Sequence, residues 1–431
     1  MNLLGAFLNA FKIPDLRKKI LFTMMIVAIY RFGAHVPTPG IDVDAAQRFA
    51  AGADQGVFQF INLFSGGALT QMAVFALGIM PYITSSIIMQ LLTVVIPKLE
   101  AWSKEGESGH KKITQWTRYL TVVLAILQST GLAFLFHNGQ ITDSTGAPVD
   151  LIPNFNAARV GLVVLSLTAG TALIMWLGEL ITQRGIGNGM SIMIFASIVS
   201  TLPSEGNSIL AQEGWPTFIA VCAIGLAIIV AIVTMEQGQR RIPVQYAKRV
   251  VGRRMYGGSS TYIPLKVNQA GVIPIIFASS VLYIPTLLQN TIQNTTIQNF
   301  IENNLVNSAS LTYMVLYGLM VVFFAYFYTA ISFNPVDVAD NIKKYGGFIP
   351  GIRPGRQTAE YLDRILTRIT LPGALFIAAI ALMPSIFLAW RNIQQLPFGG
   401  TSILITVGVT LETMKQIESQ LMMRHYEGFL K

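Results

Sequence analysis

The side chains that most often do chemistry are few and scattered in this 431-residue chain. His35, His110, His137 and His425 have no partner at metal-ligand spacing, and no His-Glu-x-x-His stretch occurs. Gly185-Ile-Gly187-Asn-Gly189 has the glycine density of a phosphate loop. It joins two apolar stretches rather than a strand and a helix, so a tight interhelical turn is the better account. Cys222 is the single cysteine, which rules out an intrachain disulfide, and its apolar surroundings predict a buried, inert thiol. No nucleophile–base pair, metal cluster or nucleotide cradle emerges, and neither an enzyme nor a cofactor is expected.

The ionisable residues point the same way. Arg31, Glu179, Glu236 and Glu412 lie toward the ends of apolar runs, leaving the middles without charge. Ion- and proton-coupled transporters keep such groups near the bilayer centre, where each costs about 2.5–3.5 kcal/mol and so implies a use. Aliphatic residues at helical spacing stand there instead. Ile79 and Ile83 are four apart, and Met190 and Ile194 repeat the interval. Such spacing commonly means packing alone, but a ring of apolar side chains also closes a water-lined path by excluding water.

Those residues need elements to hold them, and composition says which. The chain is 52% hydrophobic and 12% charged, with mean hydropathy +0.55. A soluble chain carries roughly a quarter charged residues. Apolar runs at 20–36, 72–96, 113–136, 157–181, 215–235, 270–288, 311–333 and 369–390 predict transmembrane helices, and weaker runs at 187–203 and 400–422 complete ten. Charge parity supports the weak ones: with ten crossings, 26 of the 30 lysines and arginines fall on one side and Arg48, Arg159 and Arg391 on the other. Both termini are then cytoplasmic, and no cleavable leader is evident. The second, fifth, seventh and tenth spans, rich in Gly, Ser, Thr or Pro, are expected inside the bundle, with the others facing lipid.

Gly78-Ile-Met-Pro81 with Ser85-Ser86 is echoed by Gly271-Val-Ile-Pro274 with Ser279-Ser280, each in the second span of a five-span half. The fold class read from this is an all-α polytopic membrane protein of two inverted five-helix halves, 1–209 and 210–431. Before the second span lies a short apolar stretch, Phe58, Phe60, Ile61, Leu63, Phe64 and Ser65 ending in Gly66-Gly67, too short to cross. It reads as a half-helix, about 57–70, hinged at the glycines. Two cytoplasmic loops, about 236–268 and 334–368, carry Arg240, Arg241, Lys248, Arg249, Arg253 and Arg254, then Lys343, Lys344, Arg353 and Arg356. Such loops hold topology, and they also suit docking of an anionic partner, nucleic acid or acidic protein.

The stretches GIMPYITSSIIMQLL, EGESGHKKITQWTRY, WLGELITQRGIGNGMSI, GQRRIPVQYAKRVVGRR, PLKVNQAGVIP, FNPVDVADNIKK, GFIPGIRPGRQT and FGGTSILI, in this order over nearly the whole chain, resemble the SecY family, the central subunits of bacterial Sec protein-conducting channels. The resemblance implies an hourglass pore in the bacterial plasma membrane, sealed by a ring that maps onto Ile79, Ile83, Met190, Ile194, Ile276 and Ile405. It makes the half-helix a plug that moves aside. The second and third spans against the seventh and eighth would form a lateral gate toward membrane lipids. The implied partners are the small subunits SecE and SecG, the SecA motor, the ribosome, and unfolded secretory and membrane-protein clients. No cofactor is implied. A methionine in place of isoleucine at 190 departs from an all-isoleucine ring but has similar volume. The rival from another class is a secondary transporter of a small solute, which shares inverted repeats but has no use for long basic loops.

Overall fold

The structure is a computed structural model. It describes residues 11, 13–42, 44–46, 62, 64–137, 150–152, 155–246, 249–251, 254–256, 260–289, 295–307, 310–391 and 400–428. Helices dominate. In chain order they are α1 Pro14–Gly33, α2 Met80–Val95, α3 Pro97–Lys104, α4 Glu107–His137, α5 Ala157–Arg184, α6 Gly189–Gln237, α7 Ile273–Gln289, α8 Thr295–Ile301, α9 Leu311–Ser332, α10 Pro335–Lys344, α11 Arg356–Arg391 and α12 Gly400–Gly428. Among the described residues, five segments are long and apolar enough to cross a membrane, six if the bent pair α2–α3 counts as one.

Several expectations change in detail. The run 72–96 is not one helix: residues 66–79 form successive turns, and α2 begins only at Met80. Gly66, Gly67 and Gly78 adopt φ of 65°, 87° and 56°, which an α-helix cannot include, and Pro81 then starts the helix where its missing N–H is harmless. Met72 shares the left-handed region at φ 47°. A bridge between Pro37 and Ala73 holds this stretch against the chain leaving α1. At the far end Pro97 breaks the helix, and α3 turns away by 100°. The half-helix expected over 57–70 does not reach Leu69: the described helical positions end at Ser65. Phe58, Phe60, Ile61 and Leu63 lie outside the described residues.

The weak run 187–203 and the strong run 215–235 join in α6, interrupted by non-helical geometry at Gly214 (φ 80°, ψ −179°). The first piece is well packed. The second, Gly214–Gln237, has only 11% of its apolar window buried, as a lipid-facing helix should. Cys222 lies on it and is exposed, contrary to the expectation of a buried thiol. Conversely, half of the apolar window in Arg356–Met383 is buried, so the ninth apolar run is far less lipid-facing than read from its composition.

The all-α reading also needs amendment. The first long loop forms strands, β1 Gln239–Tyr246, β2 Arg249–Val251, β3 Arg254–Tyr256 and β4 Ser260–Lys266, and the second loop adds β5 Gly347–Phe348. The order β4-β1-β5 is antiparallel, with Ile242 opposite Ile263 and Gln245 opposite Phe348. Alternation causes it: Ile242 and Val244 point inward while Arg241, Pro243 and Gln245 face water. Their core includes Leu265, Ile342, Ile349, Leu362, Ile365 and Leu366, so both loops fold as one unit on the first turns of α11.

Candidate functional site

Five isoleucines from four separate elements belong to one large apolar core. Ile79 precedes α2, Ile83 lies in its first turn, Ile194 is on α6, Ile276 on α7 and Ile405 on α12, and all five are buried members of the same core. The Ile83 N–H bonds to the Ile79 carbonyl at 3.1 Å, so the pair keeps one helical face although Ile79 is outside the helix proper. Met190 packs against this core but is only partly buried. Its thioether sits over Gly178 of α5, where an added Cβ would lie 2.5 Å from the sulfur. Met190 thus packs its sulfur against α5.

Charge is kept out of this region. Among the described residues the fully buried polar side chains are neutral ones: serines, threonines, Gln128 and Asn268. No cluster of three or more His, Cys, Asp or Glu that could hold a metal occurs among them either. Aliphatic side chains closing a narrow path exclude water and ions, and yield to a chain that displaces them.

Against this core sits the end of the short apolar segment. Phe64 and Ser65 are buried. Asn62 caps the turn, its carbonyl accepting from Gly67 N–H at 3.1 Å and its side-chain oxygen from Thr70. Gly78 passes so close that a Cβ there would stand 3.0 Å from the Phe64 carbonyl oxygen. From α1, Tyr30 donates to the Ser65 carbonyl at 3.1 Å and Arg31 to the Gly66 carbonyl at 2.6 Å. The Tyr30 hydroxyl is also 2.6 Å from Ser197 Oγ on α6. Sequence reading missed Tyr30 and Ser197, because a tyrosine and a serine 167 positions apart give no local pattern.

The basic loop residues spread over the folded loop unit. Arg240 and Arg241 are exposed on β1, with Arg241 lying over the Tyr262 ring at 5.0 Å. Arg249 and Arg254 fall on the β2–β3 hairpin; Lys248 and Arg253 lie outside the described residues. Lys343 and Lys344 end α10, where cations suit the helix dipole. Arg353 is exposed at a tip braced by Gly351 (φ 82°), Pro354 and Gly355 (φ 104°), and Thr358 donates to its carbonyl at 2.9 Å. Ile349, buried in the loop core, and the bond from Ile352 N–H to its carbonyl fix the base of this tip. Arg356 is partly engaged, pairing with Glu360 at 2.9 Å.

The family model described as SecY matches residues 73–414, which takes in all of these isoleucines, Met190 and the basic loop residues. Protein translocase subunit SecY of Streptomyces coelicolor is 57% identical over 100% of both chains, and that of Mycobacterium tuberculosis is 54% identical, again over 100% of both. Among solved structures, one described as a protein-conducting channel superimposes with a TM-score of 0.61 at 17% identity, covering 95% of this chain and 96% of that one. Sec61 in the canine ribosome–channel complex from the endoplasmic reticulum gives a TM-score of 0.61 at 16% identity and the same coverage.

Proposed function

This chain belongs to the SecY family, a multi-pass membrane channel component of protein translocation rather than an enzyme, and we propose that its ten apolar runs cross the plasma membrane as two inverted halves around a central pore for unfolded polypeptides. Ile79, Ile83, Ile194, Ile276 and Ile405 form the constriction, with Met190 at its edge against Gly178. Secretory chains pass through the ring; hydrophobic segments leave sideways between α2 and α7 into lipid. Both termini are cytoplasmic, the folded loop unit faces the cytoplasm, and SecE and SecG complete the complex. With no nucleotide cradle in the sequence, the driving force comes from outside, from a SecA-type motor or a ribosome docked on the exposed arginines. The Phe58–Gly67 stretch is the plug.

One observation carries this reading: isoleucines from the beginning, middle and end of the chain are buried in one apolar core, and no buried charge occurs among the described residues. A solute transporter would need a polar or ionisable site in that place. The test is to stall a secretory chain in the channel and place a photoreactive side chain at position 83. An adduct between the two is expected. Channels that hold the stalled chain yet give adducts only from lipid-facing control positions on Gly214–Gln237 would overturn the assignment.

A further inference from the structure

Consecutive residues of α1 hold consecutive carbonyls. Tyr30 donates to Ser65 and Arg31 to Gly66, and Tyr30 at the same time touches Ser197 of α6 at 2.6 Å. We infer that Tyr30 and Arg31 are positioning residues that, with Ser197, latch Ser65–Gly66 in the resting channel, so that the latch, and not the fit of the apolar segment alone, sets how tightly the channel rests closed. This rests on the plug reading above.

The geometry is specific. Tyr30 is 1% exposed and stacks on Phe75, with ring centroids 5.8 Å apart, so its hydroxyl has no water to turn to. The other bond to the Ser65 carbonyl, from Ala68 N–H, is long at 3.4 Å. Gly66 has φ 65°, and a Cβ there would lie 2.9 Å from both the Ser197 Cα and the Arg31 guanidinium. Three elements therefore meet at one point with space for glycine only. Moving Ser65–Gly66 takes from the buried Tyr30 hydroxyl one of its two partners and from the half-buried Arg31 guanidinium its carbonyl, both at once, and a buried donor that loses its acceptor is costly. Water entering an opened pore supplies substitute partners. The latch thus favours closure while the site is dry and gives way once it is wet.

The experiment measures resting ion conductance of the intact complex in planar bilayers. Tyr30→Phe keeps the ring and its stacking on Phe75 but removes the hydroxyl; conductance should rise by about fivefold, the effect of losing one typical buried hydrogen bond. Ser197→Ala should raise it less, because Ser197 also has the Met193 carbonyl at 2.9 Å. The double variant should not exceed Tyr30→Phe alone, since the two groups act as one unit. In channels lacking residues 58–69, Tyr30→Phe should add nothing. If the deletion raises conductance while both point variants stay at the parental level, the latch is wrong and the plug survives. If Tyr30→Phe raises conductance equally in the deletion background, it merely loosens the bundle, and the latch is again wrong. Should Tyr30→Phe fail to assemble, Ser197→Ala is judged by the same two comparisons. A deletion that leaves conductance unchanged removes the plug reading itself, and the inference with it.

Discussion

Glu179 on α5 accepts both prongs of the Arg118 fork from α4, Nε to Oε1 at 2.8 Å and Nη2 to Oε2 at 2.6 Å. The pair is lopsided, with the Glu179 side chain 14% exposed and that of Arg118 37%. Removing the arginine strands a nearly buried carboxylate, whereas removing the glutamate leaves a guanidinium that can turn to water. Arg118→Ala should therefore destabilise by about 2–3 kcal/mol and Glu179→Ala by about 1 kcal/mol. Thermal unfolding midpoints in detergent would show the order. A Glu179→Ala variant that melts earlier than Arg118→Ala would contradict it.

Ile405 is 1% exposed in the apolar core proposed to hold the constriction. Ile405→Asn places an amide among aliphatic side chains and should wet the seal, favouring the open state. A shift of about 1.4 kcal/mol multiplies the open population tenfold. Clients with defective signal sequences should then be exported better, and resting leak should increase. If both export and leak match the parent, Ile405 is ordinary packing.

The apolar segment before α2 separates function from folding. Deleting Phe58 to Leu69 should leave assembly and export largely intact while raising resting conductance. Rapid degradation of the shortened protein would instead mark the segment as part of the core.

Arg353 sits on a braced tip rather than in a loose charge cloud. Topology depends on summed basic residues, and this loop region also has Lys343, Lys344, Arg356, Arg364 and Arg368. Arg353→Glu should thus insert and accumulate normally but translocate poorly with a purified motor. Arg353→Lys should fall between, because charge remains while the bidentate fork is lost. Normal motor-driven translocation by the Glu variant would reduce these loops to orientation signals.

The sequence made some of this legible and hid the rest for physical reasons. Runs such as 113–136, 157–181 and 311–333 became α4, α5 and α9 because continuous apolarity and helix length are local properties. Ile79 and Ile83 were found by spacing, since the i, i+4 relation survives even though α2 starts between them. The late start itself was hidden: it depends on Gly78 turning left-handed and on Pro37 bridging to Ala73, contacts set by tertiary packing. The union of the two loops was hidden as well, because β5 has two residues and leaves no periodicity to read. Met190 showed its identity but not its place; only packing reveals that Gly178 makes room for its sulfur.

The late start of α2 has a mechanical consequence for the bilayer. Its 16 residues rise about 24 Å, and the 17 of α7 about 26 Å, against roughly 30 Å of hydrocarbon. Where the proposed lateral opening brings these two helices to the bilayer, lipid tails would have to tilt or headgroups sink, at a cost that grows with every ångström of membrane thickness. In that arrangement the acyl-chain length of the surrounding lipid would act on the channel as a load, felt along the seam between α2 and α7.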